Sequence, residues 1–170
     1  MTEAPKIASF RERLVFDEVE GAILDEDRRY VLLRADALMG VFRRLSPAAR
    51  AEAFAAFEAS IFEQGSKSAR AYRALGQGDG AQLAHAVAAT APQLGWGVWT
   101  FDVQPDRLRL AVTNSPFATA YGASKTPVCH SIVGMVRGVA GLVFERPAVA
   151  REVACVAMGA PQCLFEAEPL

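Results

Sequence analysis

Apolar positions first recur along the chain with a helical period. Leu38, Val41, Phe42 and Leu45 stand at i, i+3, i+4 and i+7, one face of a helix over Ala35–Leu45. Ser46-Pro47 follows as an N-cap with proline at the first helical position. The helix it opens carries Phe54, Phe57 and Ile61 on one stripe, with Gly65 as its expected end. A third helix is expected over Ser66–Leu75, stopping at the GQGDG segment around Gly76–Gly80. A fourth, Ala81–Leu94, buries Leu83, Val87 and Leu94. Ahead of them, Gly21–Asp27 reads as a turn or short strand leading into Arg28–Leu33, with Tyr30–Leu33 extending a strand.

The period changes at Gly95. Trp96–Val103 and Arg107–Thr113 read as two strands joined at Gln104-Pro105-Asp106, an antiparallel hairpin. Asn114-Ser115-Pro116 breaks the second strand. Thr126-Pro127 repeats the cap-plus-proline signature and opens an apolar helix through Ile132, Val136, Val139 and Val143. Val149–Met158 and Cys163–Ala167 form a closing hairpin around Gly159-Ala160-Pro161. Helices followed by β-β-α-β-β predict an α+β fold in which an antiparallel sheet packs against helices. With no internal repeat or Pro/Ser-rich linker, residues 1–20 are expected to form an N-terminal arm and 21–170 a single domain.

Charge divides the same way. Residues 1–80 hold 12 basic and 13 acidic side chains, residues 81–170 only 6 and 6. The second half is therefore apolar enough to be mostly interior or to line an apolar cavity. The net charge of −1 argues against a general nucleic-acid binder, which needs a basic surface. No run approaches the roughly 20 apolar residues of a membrane span, and MTEAPKIASFRER has no signal-peptide core, so a cytoplasmic location is expected.

The 3 cysteines make an odd number without an export signal, which turns the question from disulfides to metals and free thiols. All fall late in the chain, at Cys129, Cys155 and Cys163, with Glu152 among them. Three thiolates and a carboxylate would make a four-coordinate site suited to zinc. Cys129 sits at the expected start of a helix, where the dipole favours a thiolate. Strict strand alternation places Glu152 and Cys155 on opposite faces, so both reach one ion only across a bulge. The alternative is three buried thiols packing as small hydrophobes.

The segment EVACVAMGAPQCLF, from Glu152 to Phe165, resembles the C-terminal signature of the vinyl-4-reductase domain family. It is equally similar to the sensory domains of phenol- and toluene-responsive bacterial activators. Pro127-Val128-Cys129 matches the first cysteine motif of those sensors, and Glu152, Cys155 and Cys163 match the rest in order and spacing. Glu20-Gly21-Ala22-Ile23, Arg29 to Leu33, and Leu38 with Arg43-Arg44-Leu45 resemble their opening. Gly65 and Ala69-Arg70 recur less specifically. The resemblance implies zinc on Cys129, Glu152, Cys155 and Cys163, beside a pocket for an aromatic ligand. Two departures bear on that ligand: His130 stands where the sensors usually carry tryptophan, and Thr113 to Phe117 replace their tryptophan- and histidine-bearing segment.

Candidate ligand contacts are Trp96, Trp99, Phe101, Phe117 and Tyr121, with Asn114 as an orienting polar group and His130 as a donor. Their other roles are core packing for the aromatics and turn chemistry for Asn114. His130 could also support the metal shell or be a buried, satisfied histidine. His85 lies off its helix stripe and is expected at the surface. The expected function is therefore binding of a small hydrophobic or aromatic molecule, as sensor or carrier, with structural zinc; a homodimer is a further expectation. No Gly-x4-Gly-Lys-[Ser/Thr] loop or helix-turn-helix is readable, so this chain is not expected to activate transcription by itself. The alternative class is a tetrapyrrole-related reductase or assembly factor, for which no dinucleotide motif is readable: Gly95-Trp96-Gly97 lacks the third glycine.

Overall fold

The computed structural model describes residues 9–74 and 79–170, and the chain divides into two compact units at Arg34 and Ala35. In the first unit, Ser9 caps helix α1 (Phe10–Arg13) through a reciprocal box with Glu12. Strands β1 (Val15–Asp17), β2 (Ala22–Asp25) and β3 (Arg28–Tyr30) pair antiparallel in the order β1-β2-β3. Gly21–Asp27 is thus a strand and its turn, with Glu26 at φ +58°. The apolar residues after Tyr30 do not continue β3. Tyr30 already pairs with Ile23, close to the start of β2, so Val31, Leu32 and Leu33 have no strand left to meet and are exposed. Asp25 is buried because the guanidinium groups of Arg13 and Arg28 each reach its carboxylate at 3.1 Å.

The second unit opens with α2 (Ala35–Arg44). Its buried face is Met39, Gly40 and Phe42, and Val41 points outward, so the helix is rotated from the face its periodicity suggests. The cause is aromatic packing: Phe42 stacks on Phe54 at 4.4 Å between ring centroids. Helix α3 (Pro47–Ala74) starts where the Ser-Pro signature placed it, with Ser46 Oγ accepting the Ala49 N–H. It does not end at Gly65, and the two expected helices are one. Gly65 serves close approach instead, since a Cβ there would come within 2.9 Å of the Met135 terminal methyl. The expected stop at Gly76–Gly80 falls mainly on residues outside the described ones. Asp79 caps α4 (Gly80–Thr90), and a 3-10 turn, Ala91–Leu94, leads to Gly95 at φ +75°.

The expected hairpin is β4 (Val98–Val103) with β5 (Leu108–Thr113). An unexpected short helix, α5 (Pro116–Tyr121), follows, capped by Ser115. Helix α6 (His130–Val143) begins at His130 rather than Pro127 and has Cys129 as its N-cap residue. Thr126 does not cap it; its carbonyl accepts a bond from Ser124 instead. Strand β6 (Ala148–Ala154), a 3-10 turn at Val156–Met158 and β7 (Cys163–Pro169) close the chain. Among the described residues, β4 to β7 form an antiparallel sheet in the order β4-β5-β7-β6.

Alternation then decides the layers. Leu108, Leu110 and Val112 of β5 and Cys163, Phe165 and Ala167 of β7 are buried, while Arg109, Arg151 and Glu166 pair on the opposite face. Helix α6 packs against β6 and β7 on one side and α3 on the other, which buries it almost all round. Its Gly134 and Gly138 admit α3: a Cβ on Gly134 would collide with the Glu58 carbonyl oxygen, and one on Gly138 would lie 2.7 Å from Ser66 Oγ. The fold is α+β, as the hydrophobic pattern predicts.

Candidate metal centre and adjoining cleft

Three elements converge on the thiols. Cys129 sits at the N-terminus of α6, Cys155 follows β6, and Cys163 begins β7. Glu152 lies on β6, where alternation should turn it away from Cys155. The ladder shifts there: Glu152 pairs with Phe165 but Ala154 with Leu164, a bulge that brings the two side chains to one side. The ligand atoms of Cys129, Glu152, Cys155 and Cys163 all lie within 4.8 Å of one another. The three cysteines are fully buried.

Second contacts hold the cluster. Glu152 Oε2 accepts the backbone N–H of Cys129 at 2.9 Å, one of the donors a helix start leaves open. Val156 donates its N–H to Cys163 Sγ at 3.4 Å, and Ser115 Oγ lies 3.4 Å from Cys129 Sγ. Glu152 Oε1 is buried with no hydrogen-bond partner. Such an atom normally signals a missing counter-group.

The protonation pattern says the same. Burial first, then the neighbouring Cys155, pushes the Glu152 carboxyl up to about 8. Hydrogen bonds to Cys155 and Cys163, then burial, raise the Cys129 thiol far above the ordinary range. Cys155 receives those hydrogen bonds, from Cys129 foremost, and is held down to about 2 as the thiolate. For Cys163, the Cys129 hydrogen bond favours the thiolate, but Cys155 and burial outweigh it and leave the thiol at about 12. Four acidic groups therefore share one negative charge unless a cation joins them. The donor set fits one: two sulfurs about 2.3 Å from a tetrahedral ion would be about 3.8 Å apart, and Cys129 and Cys163 Sγ are separated by 3.7 Å. These residues could hold a metal ion.

Beside the cluster lies an open cleft of about 820 Å³. Phe54, Tyr121, Val133 and Ala150 supply apolar lining, and Glu58, His130 and Glu152 polar lining. His130 Nδ1 lies 3.0 Å from Glu58 Oε2, and its ring stacks on Phe54 at 4.6 Å and 19°. It is half-buried, so it is a cleft residue with a carboxylate partner rather than a sealed core histidine. His85 is exposed, as expected.

Of the other residues singled out as ligand contacts, Tyr121 also lines the cleft. Trp96, Trp99, Phe101 and Phe117 form a separate aromatic cluster, with Trp96 edge-on to Phe117 at 5.1 Å and Trp99 to Phe101 at 6.0 Å. Trp99 Nε1 donates to the Trp96 carbonyl. Asn114 is exposed at the turn after β5, with φ +57°. Sequence reading missed Phe54 and Glu58 as cleft residues. Their one signal was the four-residue spacing that puts both on one face of α3; nothing local connects Glu58 to His130.

Fold and site together define an α+β domain with a buried thiol–carboxylate cluster against an open cleft. Residues 108–169, which contain the whole cluster, match the family model of the vinyl-4-reductase domain, and this shows the resemblance to proteins of that family. No curated protein matches the chain. Among solved structures, the phenol-responsive sensory domain of the transcription activator PoxR, determined with phenol, superposes with a TM-score of 0.79. The two are 22% identical over 94% of this chain and 86% of that one. Subunit 3 of a trafficking protein particle complex from Naegleria fowleri, covalently bound to palmitic acid, gives a TM-score of 0.56 at 12% identity, covering 79% and 93%. A vinyl-4-reductase family protein from Methanocaldococcus jannaschii gives 0.46 at 17% identity, covering 80% and 90%.

Proposed function

We propose that this chain binds a small aromatic or otherwise hydrophobic molecule in the cleft, with zinc on Cys129, Glu152, Cys155 and Cys163 fixing one wall. One observation carries the reading: cluster and cleft are built from the same short stretches. Glu152 belongs to both, Ala150 and Arg151 line the cleft beside it, and His130 lines the cleft directly after Cys129. Zinc suits three thiolates and a carboxylate, being borderline soft and indifferent to ligand-field geometry. Four protein ligands leave no position for a metal-bound water, so the ion's role is structural. The PoxR sensory domain, of the same fold, is phenol-responsive and was solved with phenol, which supports an aromatic ligand here. Tyr121 and His130 are the proposed ligand contacts, and the tryptophan cluster is read as packing.

Elemental analysis of the purified protein should find about one zinc per chain, and toluene should bind measurably by calorimetry. Cys155→Ser should lose the metal and melt at a lower temperature. Unchanged melting with no zinc would sink the metal assignment; failure of every hydrophobic probe to bind would sink the ligand assignment.

A further inference from the structure

The Glu58–His130 pair bears on which molecule the cleft selects. The two residues come from α3 and α6, 72 positions apart. Glu58 Oε2, as a carboxylate oxygen, accepts, so His130 Nδ1 carries the hydrogen and Nε2 is left as an acceptor for a third group. The imidazole is held in place by a column of rings: it stacks on Phe54 at 19°, and Phe54 stacks on Phe42 at 12°. Other polar groups around the cleft are engaged elsewhere. Arg50 donates to the carbonyls of Phe42 and Leu45, Arg151 pairs with Glu166, and Glu152 belongs to the thiol cluster.

Size is the second observation. An engineered apolar cavity of about 150 Å³ accepts benzene, and drug-sized ligand sites span about 300–1,000 Å³. At about 820 Å³ the cleft belongs to the second range. A single ring would leave most of the lining formed by Phe54, Tyr121, Val133 and Ala150 against water.

We infer that the cleft selects hydroxylated aromatics of two or more fused rings, whose hydroxyl donates to Nε2 of His130 while Glu58 positions that imidazole. The inference rests on the cleft being the ligand site. A site built to pair with a hydroxyl rejects the analogue that lacks it, because its own polar group is then buried unpaired.

Calorimetric titration of the metal-loaded full chain with 2-naphthol, naphthalene and phenol tests it. The expected result is 2-naphthol binding at least about tenfold more tightly than either of the others. His130→Phe should abolish the preference of 2-naphthol over naphthalene while retaining naphthalene binding. Glu58→Gln, which keeps an oxygen for Nδ1 but loses the charge, should shrink that preference without removing it. Wild-type protein that binds phenol or naphthalene as tightly as 2-naphthol overturns the inference and leaves the cleft as a ligand site. So does a preference that survives intact in folded His130→Phe. Binding of none of the three overturns the ligand reading itself.

Discussion

Proton count is the property that distinguishes the metal-free cluster from a loaded one. Without metal, near neutral pH, Cys129, Cys163 and Glu152 keep protons and Cys155 is the thiolate. An unfolded chain there also holds about three protons, on its thiols, with the glutamate ionised. The cluster therefore adds no pH slope to metal-free stability between about pH 5 and 8. Above about pH 9 the unfolded thiols ionise while Cys129 and Cys163 stay protonated, so the metal-free domain loses stability as pH rises. In the loaded form all four groups are deprotonated, and stability is instead lost as pH falls. Denaturation midpoints against pH, with and without chelator, should show these opposite slopes. Uptake of a divalent ion at pH 7 should release about three protons, measurable by calorimetry in buffers of different ionisation enthalpy. Which residues would be ligands was legible in the sequence from residue type and spacing. How they would share protons was not, because it depends on distances and burial that only folding sets.

At the level of elements, the α3–α6 contact and the β6 bulge place the site. Helix α6 presents Gly134 to the Glu58 carbonyl and Gly138 to Ser66, so the two helices meet almost backbone to backbone. Gly134→Ala forces a Cβ into that carbonyl and should destabilise by about 1–3 kcal/mol, lowering the melting temperature by several degrees. The same change at Gly21, where a Cβ meets nothing but φ is +60°, would act through backbone strain and not through the cleft. Because Glu58 is on the displaced turn, Gly134→Ala should also weaken ligand binding in the cleft, which calorimetry can separate from the melting shift. Periodicity located most elements but misplaced their limits where tertiary contact overrode local signals. Gly65 reads as a stop and is a packing position; Thr126-Pro127 reads as a helix start, yet the helix waits for Cys129. Helix α5 was missed although Ser115-Pro116 repeats the signature that correctly placed α3, because six residues are too few to show a period.

Across the molecule, cluster and cleft share chain, so occupancy of one should be felt at the other. Metal removal should raise hydrogen exchange at the start of α6 and from Glu152 to Cys163, and leave the β4–β5 hairpin unchanged. Ligand affinity should fall on chelation, and by linkage the ligand should tighten metal binding by the same factor. No helix among the described residues is long and apolar enough to cross a membrane, in keeping with the alternating patterns in the sequence. The sequence by itself determined the α+β class, the antiparallel hairpins and the identity of the four cluster residues, because hydrophobic period and side-chain chemistry are local properties. Tertiary structure alone decided that a bulge turns Glu152 toward the thiols. It likewise decided that Glu58 meets His130 across 72 positions, and that the cleft lies on Phe54, Tyr121 and Val133 while the tryptophans pack with Phe101 and Phe117 elsewhere. Those are contacts between elements far apart in the chain, and no local pattern encodes the register or the approach that creates them.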